Sequence, residues 1–241
     1  MTRAPFDNSR VKLSRTRQLV GELDQIIASY DGARLVAEQV APDHISITLR
    51  VQNHPADAIE SILGDIIHNL RAALDLVAVT AVERNEGNPK GVHFPFAENE
   101  AGLEEQIRNK KFHRASEEAQ DLLRSLKPFK GGNEALRAIH DLYLLDKHND
   151  LIPTLSVGVQ TQDLQFGGVH FSGNYFGLHD GLPLVRMNGM GAAIMAPVPL
   201  RLRAMFGAGQ PFAREELVPA LSGLADLVDG IVEAFAALYI R

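Results

Sequence analysis

The stretch from Pro55 to Arg84 constrains this chain more than any other. Pro55 stands at a helix start, where a missing N–H costs nothing, and Asn85-Glu86-Gly87-Asn88-Pro89 stops the segment. At ~100° per residue, Ile59, Ile62, Ile66, Leu70, Leu74 and Val77 share one face of a helix. Asp65, His68, Arg71 and Asp75 fall almost opposite, as i,i+3 and i,i+4 neighbours. Beyond Asp75 the segment is apolar on every side, through Leu76, Val77, Ala78, Val79, Ala81 and Val82. A helix apolar all round is buried all round. Other elements must therefore surround it, and its polar stripe is expected to run into an interior.

Those elements can be read from periodicity. Ser9–Tyr30 repeats Val11, Leu19, Leu23, Ile26 and Ile27 at helical spacing. Arg34–Val40 and His44–Gln52 read as strands joined by the turn Ala41-Pro42-Asp43, a hairpin. A loop with His93-Phe94-Pro95-Phe96 follows the long helix, then helices over Glu100–Asn109, Ser116–Leu126 and Asn133–His148. From Ile152 the pattern alternates. Leu155, Val157, Val159, Phe166, Val169 and Phe171, the turns Asp180-Gly181 and Asn188-Gly189, and the run Ile194–Arg203 predict an antiparallel meander. Glu215–Ile240 returns to a helix, with Leu217, Leu221, Leu224, Val228, Ile231, Val232 and Phe235 as its buried stripe. The expected fold class is α+β, a bundle of long antiparallel helices with an antiparallel sheet or meander packed at one side. No linker divides the 241 residues, so they read as a single domain.

Composition narrows the chemistry. The chain has no cysteine, which excludes disulfides, thiolate catalysis and cysteine-ligated metals. No apolar run reaches the ~20 residues of a membrane span, and the N-terminus carries no signal-peptide core, so a soluble, cytoplasmic protein is expected. A net charge of −6 argues against a protein coated by nucleic acid and leaves local contact open. The basic residues Arg3, Arg10, Lys12, Arg15 and Arg17 read either as a phosphate-binding arm or as the solvated face of the first helix.

Two constellations carry candidate chemistry. The first is the stripe Asp65, His68, Arg71 and Asp75. Charges taken inside a bundle must be paired and hydrogen-bonded, so the stripe reads as a structural network, a ligand or catalytic site, or a solvated face. The second is Asp146-Lys147-His148. Asp146 shares an apolar arc with Ile139 and Leu142 and needs a cation; Arg71, able to hold a carboxylate bidentately, is the expected partner. His148 lies near a helix C-terminus, where the dipole favours imidazolium. The catalytic candidates are therefore His68, Arg71, Asp75, Asp146 and His148. Asp65 and His68 are the metal candidates, an acid and an imidazole at i,i+3. Arg71 beside them repels a cation, so a divalent metal is the weaker reading, and no cofactor is predicted.

Gly64-Asp65-x-x-His68-Asn69-Leu70-Arg71-x-Ala73-Leu74-Asp75, the downstream Asp146-Lys147-His148 and the intervening His93-Phe94-Pro95-Phe96 resemble a widespread family of uncharacterised bacterial proteins. The resemblance supplies motifs and no activity. The chain departs from it at Leu76, where a histidine is common, and at Asn149, where an arginine is common. With that histidine the helix would carry Arg-x4-His, similar to the ribonuclease motif of HEPN helical bundles; here it is broken. Arg108-Asn109-Lys110-Lys111-Phe112-His113 matches the spacing, as chance allows in a chain with 9 histidines.

These observations predict a binding or scaffold protein with a buried polar cluster. The alternative is a HEPN-like ribonuclease or metal-dependent hydrolase using the same residues. A homodimer through the apolar C-terminal helix and a small-molecule or phosphate ligand are the partners that the pattern allows.

Overall fold

The computed structural model describes residues 4–42, 44–148, 154–158, 164–166, 169–171, 175–188 and 198–239. Its principal helices are α1 (Asp7–Ser29), α2 (Ala56–Arg84), α3 (Leu103–Asn109), α4 (Glu117–Ser125), α5 (Glu134–His148) and α6 (Leu217–Ala237). The strands are β1 (Ala33–Ala41), β2 (His44–Val51), β3 (Thr154–Gly158), β4 (Leu164–Phe166), β5 (Val169–Phe171), β6 (Tyr175–Gly177), β7 (Leu182–Asn188), β8 (Val198–Pro199) and β9 (Arg201–Met205). The fold is α+β, as the periodicities predict.

Helix α2 is the axis of the bundle, packed against α1, α5 and α6. Val77, Ala78, Ala81 and Val82 are fully buried, while Leu76 and Val79 of the same apolar segment are half-buried, so the burial expected all round holds on most but not every side. Burying one Leu or Ile side chain stabilises by ~1.5–3 kcal/mol, so packing rather than propensity holds this helix. Side-chain contacts give the directions. Tyr239, just past α6, donates from its hydroxyl to the Ala81 carbonyl at 3.3 Å and stacks on Phe6 just before α1. The start of α1 therefore meets the ends of α2 and α6, and α1 runs antiparallel to both. Along α5, Tyr143 lies beside His68 and Asp146 against Gly64, so α5 is also antiparallel to α2.

Helix α1 starts at Asp7, before the expected Ser9, because the Asp7 carboxylate accepts the Ala4 N–H at 2.8 Å. Its basic residues are spent within the fold. Arg10 pairs with Glu233, Arg17 with Asp226 and Asp229, and Lys12 donates to the Asn69 carbonyl oxygen. Arg10 and Arg17 clamp α1 along α6, Lys12 ties it to α2 and Arg15 pairs with Glu22 of its own helix, so these four form no free basic arm; Arg3 lies outside the described residues. The apolar stripe of α6, from Leu217 to Phe235, is buried within this one chain.

Among the described residues the strands pair antiparallel and form three sheets, ordered β7-β2-β1-β8, β6-β3-β9 and β4-β5. The β1–β2 hairpin stands as expected. Ile47 and Leu49 turn inward to the core, while Ser46 and Thr48 point to the other face. The Asp180-Gly181 turn forms, with Gly181 at φ 74, but it joins β6 and β7, which lie in different sheets, and so closes no hairpin. Tertiary bonds decide this: the Gly181 N–H donates to the Leu49 carbonyl and the Asp180 carboxylate accepts the Val51 N–H, so the turn is pinned to the end of β2. The expected run Ile194–Arg203 is replaced, within the described residues, by β8 and β9. The expected Asn188-Gly189 turn falls partly outside them.

Candidate functional site

The polar stripe of α2 is graded rather than uniformly buried. Asp65 and His68 are exposed, Asp75 is part-buried, and only Arg71 is enclosed, its side chain 9% exposed. The expectation of an interior network therefore fails for Asp65 and His68. Helix α5 runs along α2 past Gly64 and His68, with Asp146 on Gly64 and Tyr143 beside His68, but Asp65 and the His68 side chain stand to the side of that contact. His68 rests near the Tyr143 ring, with centroids 6.2 Å apart. Asn69 ties α2 to α1, since its amide donates to the Asp65 carbonyl and its oxygen accepts from Lys12.

The Arg71 guanidinium is held in a closed cycle. Its Nη2 lies 3.0 Å from Asp75 Oδ1 and donates to the Phe94 carbonyl at 3.2 Å. The same Asp75 oxygen accepts the Phe94 N–H at 2.8 Å. Helix α2 thus grips both backbone groups of one residue in the His93-Phe94-Pro95-Phe96 loop. Phe94 is fully buried and Phe96 nearly so. The Phe96 ring receives the guanidinium 4.7 Å from its centroid and stacks on His140 of α5 at 4.9 Å and 5°. His93, exposed, brings its Nδ1 to 3.6 Å from the other Asp75 oxygen.

Burial lowers the Arg71 pKa, against the opposing pull of Asp75. Burial, followed by the positive charges of Arg71 and Arg137, pushes the His140 imidazole down to about 4. His140 is therefore neutral at physiological pH. Arg71 Nη1 and His140 Nδ1 are both buried without a hydrogen-bond partner.

A second guanidinium closes the far end of the loop. Arg137 of α5 is 3% exposed and donates to the Ala97 carbonyl, to Glu98 at 2.6 Å and to Asp141 at 2.9 Å. Hydrogen bonds from Lys130 and Arg137 hold the Glu98 carboxyl down at about 2. The Ala97 N–H donates to the Pro128 carbonyl. Arg71 and Arg137 thus fasten the two ends of one buried loop.

The structure revises the expected pairings. Arg71 takes Asp75, within its own helix, as its carboxylate, and not Asp146. Asp146 lies about two turns away along α2, against Gly64. A Cβ on Gly64 would stand 2.6 Å from Asp146 Oδ1, so a larger residue there would push this carboxylate aside. The two segments that carry the resemblance therefore meet at Gly64 and Asp146. His148 ends α5, but its side chain lies outside what is described. Arg108 and His113 do not share a helix: α3 ends at Asn109 and Lys111 turns at φ 60. Among the described residues no group of three or more His, Asp or Glu side chains gathers as a metal site requires. No helix among them is long and apolar enough to cross a membrane.

His140 and Arg137 were absent from the expected site. The Arg137–Asp141 spacing at i,i+4 is the signal that points to one of them. Comparison with protein-family models, curated proteins and solved structures finds no match to this chain.

Proposed function

We propose that this chain is a binding or scaffold protein in which the Arg71–Asp75–Phe94 cycle is a conformational lock. One observation carries this reading: Arg71 and Asp75, two of the catalytic candidates, are spent on one another and on the Phe94 backbone. Arg71 Nη2 and Asp75 Oδ1 meet at 3.0 Å, and both bond the Phe94 backbone. A lock of this kind fixes where the buried Phe94 and Phe96 rings enter between α2 and α5. Buried ionic groups are best attested in such a specifying role, since an apolar replacement often gives equal or greater stability.

The competing reading is a HEPN-like ribonuclease or metal-dependent hydrolase. It draws on the two buried nitrogens without partners, Arg71 Nη1 and His140 Nδ1. One experiment separates the two: thermal unfolding of the wild type, Arg71→Ala and His68→Ala beside an RNA-cleavage assay with and without Mg²⁺, Mn²⁺ or Zn²⁺. The lock predicts that Arg71→Ala loses about 3 kcal/mol, that exposed His68→Ala loses less than about 0.5 kcal/mol, and that no sample cuts RNA. Wild-type cleavage, or stabilisation by metal, that either variant abolishes while remaining folded would reverse the assignment.

A further inference from the structure

We infer that the outer face of the β7-β2-β1 sheet is a binding site for a small organic oxyanion, a carboxylate or phosphate on a short apolar body. The site shares no residue with the Arg71 cycle and stands or falls independently of it.

The geometry follows from register. Glu38, Ser46 and Arg186 lie in one row across the three strands, since Ser46 is paired with Glu38 on one side and Arg186 on the other. Between Ile47 and Thr48 the register slips, so Thr48 faces Pro183. Such bulges bend a strand and re-aim its side chains. The result is a cavity of about 510 Å³ with Ser46 and Thr48 in its lining. Small-molecule sites commonly occupy ~300–1,000 Å³.

Its polar groups are incompletely satisfied. Ser46 and Thr48 are only 3% and 5% exposed. Thr48 donates to Ser46 Oγ at 3.3 Å, and Ser46 donates to the Val185 carbonyl at 3.5 Å. Both distances exceed the ~2.7–2.8 Å usual for a hydroxyl donor. Two enclosed hydroxyls on such long bonds can turn to a better acceptor. A bidentate pair walls one side: Arg50 Nε and Nη2 donate to the two Glu38 oxygens at 2.8 and 2.9 Å. Asp180 also stands 3.8 Å from Arg50 Nη1, so the Arg50 charge is fully matched on this wall. Arg186, on the opposite wall, forms no ion pair or hydrogen bond with any described residue. The cavity therefore presents a guanidinium without a partner among the described residues next to two enclosed hydroxyls on long bonds, and Val40 and Pro183 supply an apolar surface. An oxyanion satisfies the charge and both hydroxyls, and a short apolar body covers the rest. A cation or a neutral molecule leaves Arg186 unmatched.

The test uses the full chain with phenyl phosphate, benzoate, benzyl alcohol and benzylamine as probes, followed by ligand-observed NMR and calorimetry. The expected result is saturable binding of phenyl phosphate or benzoate and none of the other two; which anion binds tighter identifies the head group. Arg186→Ala, at an exposed position, should weaken that binding at least about tenfold, and the near-isosteric Thr48→Val by several-fold. Arg17→Ala, on α1, should leave it unchanged. The inference is overturned if neither anion binds saturably, if the neutral probe binds as well, or if the Arg186→Ala chain, shown folded by its circular dichroism, binds like the wild type.

Discussion

Arg71 and Arg137 stand on neighbouring helices, are both buried and fasten the same loop, yet their surroundings drive them in opposite directions. Arg137 meets two carboxylates and a carbonyl, and its pKa is raised although burial opposes it. Arg71 meets one carboxylate and one carbonyl, keeps a nitrogen without a partner, and is lowered by burial. The residue type is the same; the balance of desolvation against partner carboxylates sets the sign. A buried charge stabilises only when hydrogen bonds offset its desolvation, and here one guanidinium lies on each side of that balance.

Replacing each arginine with methionine, which keeps much of the side-chain volume, should expose this difference. Arg137→Met removes several charge-assisted hydrogen bonds and leaves the Ala97 carbonyl without its donor, so urea unfolding should show a loss of about 3 kcal/mol. Arg71→Met also leaves the Phe94 carbonyl and Asp75 without their donor, but it breaks fewer bonds and removes a charge that burial opposes, so the loss should be smaller, about 1–2 kcal/mol. Equal losses would break the comparison.

Acid should separate the two ends of the loop by pH window. His140, beside Arg71, falls from 6.5 to about 4 in the fold. Between those values the unfolded chain binds the extra proton, so stability is lost as pH falls from about 6.5 to 4. Glu98, beside Arg137, is held at about 2 instead of 4.5, so its contribution persists to lower pH and is lost between about 4.5 and 2. Melting temperature followed from pH 8 to 3 should decline in the upper window for the wild type and more shallowly there for His140→Phe. An unchanged upper slope would show that His140 does not titrate on unfolding in that window.

A smaller effect probes the other end of the α2–α5 contact. Gly64→Ala adds helix propensity but drives a methyl into the Asp146 carboxylate, 2.6 Å from its oxygen. The single variant should lose about 1 kcal/mol, and Asp146→Ala should relieve it in the double variant. Additive losses would mean that the two residues do not meet.

The helices and the first hairpin are legible from residue order because periods of 3.6 and 2 are printed in side-chain type. The burial of Val77, Ala78, Ala81 and Val82 follows from their run in the same way, whereas the half-exposure of Leu76 and Val79 does not. The site is only half legible. A helical wheel places Asp75 within reach of Arg71, but it also offers Asp146, and nothing in the spacing tells which carboxylate arrives. The deciding partners are the N–H and C=O of Phe94 and the carbonyl of Ala97, groups that every residue carries and no motif marks. The exposure of Asp65 and His68 depends on where α5 crosses α2, a tertiary fact. The split of the strands into three sheets depends likewise on pairings between distant residues, such as Ser46 with Arg186.

The lock itself is tested most directly by hydrogen exchange at two amides of the loop. The Phe94 N–H is held by Asp75 next to Arg71, and the Ala97 N–H by the Pro128 carbonyl next to Arg137. In Arg71→Met, the Phe94 amide should exchange at least about tenfold faster while Ala97 keeps its protection; in Arg137→Met, the larger change should fall on Ala97. Unchanged protection of Phe94 in the Arg71→Met chain would contradict the claim that Arg71 fixes this loop.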